Sequence, residues 1–291
     1  MKLEMKVILI AILVIFSLRS VAQSNKPEEK TLLWQITGKN IKEPSYLFGT
    51  IHIMCPSDLK VSERLKQKFS ATQQLFLEIK LDDPGMMMEM IKGMKMKDSS
   101  TLKSLLGKAN YDSVNTIFKK STGIQLDMFN STKPILIVSM IYPFLLGCTP
   151  DSWENTFQKM AKEQHKPLMG LEKISDQMNV LESIPYKEQA DMLAKTMFKM
   201  DSAKTIFLNM LEVYKQKDIA ALYELTTSDE DFGTYERDLL SNRNRNWIKI
   251  ITGQAEKMAT FFAFGAAHLG GQEGVINLLR KQGYTVKPIL Y

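Results

Sequence analysis

Two short motifs share one frame in this chain: Gly49-Thr50-Ile51-His52 and Gly265-Ala266-Ala267-His268. Only three histidines are present, and each of these two follows an apolar run that reads as a buried strand. Imidazole is the usual side chain for ligating a metal or moving a proton near neutral pH. The repeated placement therefore points to two matching loops that converge on one site, and to an enzyme. Two neutral imidazoles and a carboxylate make a three-ligand set with positions left open for water and substrate, as catalytic divalent metals require. Glu78 is the best acid for it, because it stands inside the apolar run Leu75-Phe76-Leu77-Glu78-Ile79, where a buried charge is costly unless it is paired or bound to a cation. The bland alternatives are a strand-end glutamate reaching solvent and histidines that only bond backbone.

Other polar residues offer supporting roles. Arg243 and Asn244 lie in Asn242-Arg243-Asn244-Arg245-Asn246-Trp247 on an otherwise amphipathic helix. Either that cluster is a solvated face, or Arg243 turns inward to steady an anionic intermediate with its fixed charge and forked donors. Asn244 and Glu172 are the residues expected to meet substrate. Glu154, near the start of a helix capped by Asp151 or Ser152, is expected to serve the helix dipole. His165 reads as a surface residue. The methionine-rich stretch from Met86 to Met96 admits copper through its thioethers, but amphipathic packing, or a lid over an apolar substrate, is the favoured reading.

These residues need a frame to bring them together. Alternation and turn signals predict strands over Leu32–Thr37, Ser45–Thr50, Leu75–Ile79, Thr260–Phe264 and Thr285–Leu290, with another over Lys166–Leu171. A helix capped by Ser57 or Asp58 is expected to run to about Phe69, and another from Gln272 to Lys281, closed by Gly283. Strand, Gly-x-x-His, helix, strand thus occurs at both ends of the chain. The fold class that follows is α/β, a mixed sheet built from two such units, each presenting its histidine at the carboxyl end of a strand. Whether the two units reflect an internal duplication is left open by so short a likeness. Between them the sequence is mainly helical, with long helices predicted over Lys187–Ala221 and Tyr235–Ala255 and a buried one over Pro134–Leu146.

A hydrophobic fraction of 44% provides for a sizeable core, and no low-complexity tract divides the chain. Residues 1–22 read as a signal peptide: basic to Lys6, apolar from Val7 to Leu18, then small residues at Ser20-Val21-Ala22. Residues 23–30 read as a disordered linker and 31–291 as one domain with a helical insertion. The leader's apolar core is shorter than the roughly 20 residues of a spanning helix, so no stable membrane span is expected after cleavage. Losing Lys2, Lys6 and Arg19 against Glu4 takes the net charge from +6 to +4. The remaining lysines are scattered, which argues against nucleic acid as a partner. Cys55 and Cys148, both beyond the leader, are expected to form a disulfide in an oxidising compartment, the periplasm or the extracellular space. The alternative is two buried thiols.

The chain lacks Gly-x-Ser-x-Gly, His-Glu-x-x-His, Gly-x-Gly-x-x-Gly and P-loop motifs, so serine hydrolases, zincins, Rossmann dehydrogenases and nucleotide hydrolases lose support. The pattern instead resembles the TraB/GumN family, which includes bacterial pheromone-shutdown and conjugation-related proteins and the animal Tiki proteases. The likeness is carried by Tyr46 to His52, Leu77-Glu78, Gly170-Leu171-Glu172, Arg243 to Trp247, and Phe264 to Leu269 with Gly274 beyond. It implies a fold similar to erythromycin esterase and the haem-binding ChaN proteins and, for Tiki, a peptidase using manganese or cobalt. Carried onto this sequence, His52, Glu78 and His268 form the centre with Arg243 near it. The expected activity is that of an exported metal-dependent hydrolase of a peptide or small molecule, its ion manganese, cobalt or zinc. A metal-independent esterase using histidine and Glu78, and a non-enzymatic haem- or metal-binding protein, are the alternatives.

Overall fold

The apolar runs that precede the two histidines lie side by side at the middle of one sheet. In the computed structural model, which describes residues 30–291, six strands are ordered β4-β3-β5-β2-β1-β6. They are β1 (Leu33–Thr37), β2 (Ser45–Thr50), β3 (Gln74–Ile79), β4 (Leu168–Glu172), β5 (Thr260–Gly265) and β6 (Thr285–Pro288). β2 runs parallel to β5, and β3 runs parallel to both β4 and β5. β1 is antiparallel to β2 and β6, so β6 shares the direction of the other four. The sheet is therefore mixed, as expected. The predicted strands fall within two residues of the observed ones because central strands of a parallel sheet are apolar on both faces and read plainly.

The helices are α1 (Glu63–Ser70), α2 (Met86–Gly93), α3 (Leu102–Leu106), α4 (Lys108–Thr122), α5 (Pro134–Ser139), α6 (Tyr142–Leu145) and α7 (Trp153–Glu163). After β4 come α8 (Ile174–Val180), α9 (Tyr186–Phe198), α10 (Met200–Lys215), α11 (Ile219–Thr227), α12 (Asn242–Lys257) and α13 (Val275–Lys281). Two layers cover the sheet. On one face Phe69 of α1 and Trp153 and Phe157 of α7 pack on Phe48 and Phe261, with ring centroids 4.8–5.1 Å apart. On the other face Trp247 of α12 packs on Phe264 at 5.5 Å, and α13 lies against α12.

This arrangement decides where a site can form. The chain leaves β2 through α1 toward β3, and leaves β5 through α13 toward β6, on the opposite side of the sheet order and over the opposite face. Two crossovers that diverge from neighbouring parallel strands leave a crevice at the strands' carboxyl ends, and both histidine loops border it.

Several helices differ from expectation. Pro56–Asp58 is a separate 3-10 turn, and α1 starts only at Glu63 with Ser62 as its cap, its hydroxyl accepting from the Leu65 amide. The 187–221 stretch breaks into α9, α10 and α11, and the 134–146 stretch into α5 and α6. Residues 235–241 are not α-helical: a π turn, Arg237–Ser241, precedes α12. α13 begins at Val275 because residues 266–268 form a 3-10 turn first. The α2 methionines are not core, since Met87 and Met88 are exposed, whereas His165 is exposed as expected. The expected signal peptide, residues 1–22, and the linker up to residue 29 lie outside the described residues. Among the described residues no helix is long and apolar enough to cross a membrane.

Cys55 and Cys148 are bonded, with Cα atoms 5.9 Å apart. Beside the bond, Met54 and Asp151 exchange both backbone hydrogen bonds, at 3.0 and 2.9 Å. Together these links hold the His52 loop against the start of α7, 93 residues away along the chain at the disulfide. Closing a loop of that length stabilises a fold by about 2–5 kcal/mol.

Candidate active site

Gly49 and Gly265 are needed where the two strands end. A Cβ on Gly49 would stand 2.8 Å from Leu269 Cδ1 and 2.9 Å from the Ala266 Cβ, so the second histidine turn packs directly onto the first motif. A Cβ on Gly265 would lie 3.2 Å from Glu78 Oε1 and 3.5 Å from the His268 ring. The motifs thus interlock: each glycine clears room for the other loop or for its own histidine. Gly49→Ala is expected to cost about 1–3 kcal/mol through overpacking, read as a lower denaturation midpoint. No loss of stability would mean that the loops do not meet in this way.

His268 is 4% exposed, and its ring lies 4.5 Å from that of Trp247. Its Nδ1 bonds Asn244 Oδ1 at 2.7 Å, while the amide nitrogen of Asn244 donates to the Glu273 carbonyl at 2.8 Å. Its Nε2 meets Arg243 Nη1 at 3.2 Å. A guanidinium has donors only, so Nε2 must be the acceptor and the proton sits on Nδ1. Burial, reinforced by Arg243, lowers the pKa of His268 to about 3, against the pull of Glu78. The ring is neutral.

His52 lies at the open side, with 67% of its side chain exposed. Its Nδ1 bonds Glu154 Oε1 at 3.0 Å, and the Thr50 hydroxyl donates to the same oxygen at 2.6 Å. The other Glu154 oxygen is buried without a hydrogen-bond partner. Loss of hydration works against the charge on His52, but the hydrogen bond to Glu154 and the carboxylates of Glu78 and Glu154 outweigh it and raise the pKa to about 9. A folded-state pKa above the unfolded value means stability that is complete below pH 6.5 and is lost as pH rises through the folded value. In metal-free protein, NMR titration of the His52 ring is expected to show a midpoint above 6.5 that falls in Glu154→Gln. An unchanged midpoint in that variant would remove Glu154 from the account.

Glu78 is 7% exposed and its carboxylate is fully engaged. Oε1 accepts from the Gly265 amide at 2.8 Å, and Oε2 accepts from Arg243 Nη2 at 2.6 Å and Gln177 Nε2 at 2.9 Å. Burial would raise its pKa, yet Arg243, with the charge on His52 and the Gly265 amide, holds it well below the usual carboxylate range. Arg243 also binds Glu172, Nη2 to Oε1 at 2.6 Å and Nε to Oε1 at 3.1 Å, and Glu172 Oε2 accepts from Trp247 Nε1 at 3.0 Å. Arg243 therefore points inward, stacked 4.8 Å over Trp247, with Nη1 donating at 3.0 Å to Leu239 of the π turn.

Of the four residues expected at the centre, Arg243 touches both Glu78 and His268, while His52 bonds Glu154 and feels Glu78 and Arg243 only through their charge. Asn244 and Glu172, expected at substrate, are engaged by the protein: Asn244 holds His268, and Glu172 holds Arg243 while also lining a cavity beyond β3 and β4. Glu154 does more than face the dipole of α7. The disulfide and the Met54–Asp151 bridge carry it to His52. Gln177, on Glu78, had no signal in the sequence beyond being polar on a helix.

A divalent cation is tested by the donors themselves. Among the described residues no three His, Cys, Asp or Glu side chains stand ready as a cation site. Yet both imidazoles have Nδ1 tied to an oxygen acceptor, which leaves Nε2 as the ligating atom, the arrangement metal-bound histidines adopt. Arg243, itself a cation, already sits on Glu78 and His268. The donor set fits a divalent ion in kind, with the guanidinium on part of it.

A family model for the TraB/PrgY/gumN family matches residues 32–288. The chain is 20% identical to Metalloprotease TIKI2 of Danio rerio, across 92% of this chain and 63% of that protein. It is 19% identical to Metalloprotease TIKI1 of the same species, across 91% of this chain and 65% of the relative. It is 20% identical to Metalloprotease TIKI1 of Homo sapiens, across 90% and 63%. The chain thus spans just under two thirds of the length of these relatives. No solved structure matches it.

Proposed function

This chain belongs to the TraB/PrgY/gumN family, and from that membership and the site geometry we propose that it is an exported metal-dependent hydrolase that cleaves a peptide bond. The observation that carries the reading is the pairing of Thr50 with Gly265 on neighbouring parallel strands, which sends both histidine loops from one edge of the crevice with their Nδ1 atoms held. His52, His268 and Glu78 would hold the ion, taken as manganese, cobalt or zinc. Charge supports this. Ligation requires His52 to give up its proton, after which Glu78, Glu154 and Glu172 face a single guanidinium, a deficit a divalent cation would cancel.

When bound, such an ion supplies Lewis acidity, lowering the pKa of a water and polarising a carbonyl. The chain's own residues do the rest. Glu154 and Asn244 fix the two imidazoles, and Glu172 anchors Arg243 so that its guanidinium can meet the charge that develops on the scissile carbonyl oxygen. A cavity of about 630 Å³ beside Glu172, lined by Ile79, Lys80, Met86, Met169 and Asp176 among others, gives an extended substrate a path to the crevice. The relatives are named metalloproteases, which makes a peptide the expected substrate. The disulfide suits an oxidising compartment, so we place the protein in the periplasm or outside the cell.

One observation favours a second reading without a metal: Glu154 holds His52 and leaves its Nε2 free. There the neutral form of His52, the minor one below about pH 9, takes a proton from water as the oxygen attacks the carbonyl carbon, Arg243 holds the oxyanion, and His52 returns the proton to the leaving group as its bond breaks. Hydrolysis of a fluorogenic peptide library after chelation separates the two. The metal reading expects loss of turnover and its return with manganese, cobalt or zinc; chelator-resistant turnover would overturn it in favour of the second.

A further inference from the structure

We propose that Arg243 is the resident counter-cation of this site: in the metal-free protein its guanidinium holds Glu78 and His268, and a divalent ion must displace it to bind. The inference rests on the metal-dependent reading and adds an occupant to it. Arg243 Nη1 meets His268 Nε2 at 3.2 Å and Nη2 meets Glu78 Oε2 at 2.6 Å. Nε2 of a neutral imidazole has one lone pair, so the guanidinium and a metal cannot both use it. The two cations would also repel at such separation.

The remaining contacts show where the side chain is anchored. Glu172 takes both Nε and Nη2, the Leu239 carbonyl accepts from Nη1, and Trp247 stacks beneath. Glu172 has both oxygens engaged by Arg243 and Trp247, which suits a tether rather than a ligand. Arg243 can therefore give up Glu78 and His268 while Glu172 retains its charge, and the freed Nη1 is then the donor available to a substrate oxygen. Without a divalent ion the guanidinium keeps two buried carboxylates paired, sparing them the cost of an isolated buried charge.

The test is cobalt titration of chelated protein, followed by visible absorption. It is run in wild type, Glu172→Gln, Arg243→Ala and the double variant Arg243→Ala with Glu172→Gln, whose lost carboxylate offsets the lost cation. The double variant is expected to bind cobalt at least about tenfold more tightly than wild type, which carries the same net charge. Equal or weaker binding would overturn the counter-cation role while leaving the metal reading intact. If neither wild type nor variants bind cobalt, both fail. Should the Arg243 variants not fold, zinc titration of wild type with 15N NMR of the Arg243 guanidinium decides it: its resonance must move as the ion binds, and a binding curve with no such movement overturns the proposal.

Discussion

Arg243→Ala, measured by denaturant unfolding in the presence of chelator, is expected to lower the free energy of unfolding by about 3–5 kcal/mol, the cost of stranding buried charge. Glu78 and Glu172 have side chains only 8% and 9% exposed, and both depend on this one guanidinium. The loss should be partly returned by Glu172→Gln, which removes one of the two stranded charges. A variant as stable as wild type would mean that these carboxylates find other partners or water. The prediction depends only on the buried ion-pair geometry, so it holds whichever hydrolytic reading is right.

The two histidines should separate function from stability. His52→Ala and His268→Ala are each expected to cut hydrolysis by roughly 10²–10⁴-fold, the range for removing a group that acts on the reacting centre. Their effects on folding should differ. His268 is buried against Trp247 and bonded to Asn244, so its removal opens a cavity and orphans an amide oxygen, for about 2–4 kcal/mol. His52 is mostly exposed and fills no cavity, so its loss should cost less than that of His268, and the cost should fade as pH rises through the folded-state pKa of the ring. Equal destabilisation by both, or retained turnover in either, would break the assignment of the pair.

What the sequence made legible follows from physics that is local along the chain. Strands buried on both faces, β2, β3 and β5, announce themselves as apolar runs, and the less buried β1, β4 and β6 are marked by alternation and turn signals, so the strands and the two motif histidines could be placed without knowing their partners. Glu78 stood out because a carboxylate inside such a run has few excuses. Helix boundaries were less readable. The break at Lys199 between α9 and α10 carries neither Gly nor Pro, and it is set by packing that periodicity alone does not encode.

The roles of Asn244, Glu172 and Glu154 were hidden for a different reason, since each depends on contacts far apart in sequence. Asn244 reaches His268 across 24 residues, and Glu172 reaches Arg243 across 71. Glu154, 102 residues from His52, did have a usable signal. If Cys55 pairs with Cys148, then the residues just after 148 must lie near those just before 55, and Asp151 and Glu154 are the acids in reach. The first turn of a helix is so common a place for an acid that the dipole explanation masked this.

The central claim is that two distant Gly-x-x-His loops and one buried glutamate hold a divalent ion. Elemental analysis of protein supplied with manganese, cobalt or zinc, beside His52→Ala and His268→Ala, tests it most directly. The account expects near-equimolar metal in wild type and its loss in both variants. Wild-type protein that takes up no divalent ion under those conditions, or variants that retain it in full, would contradict it.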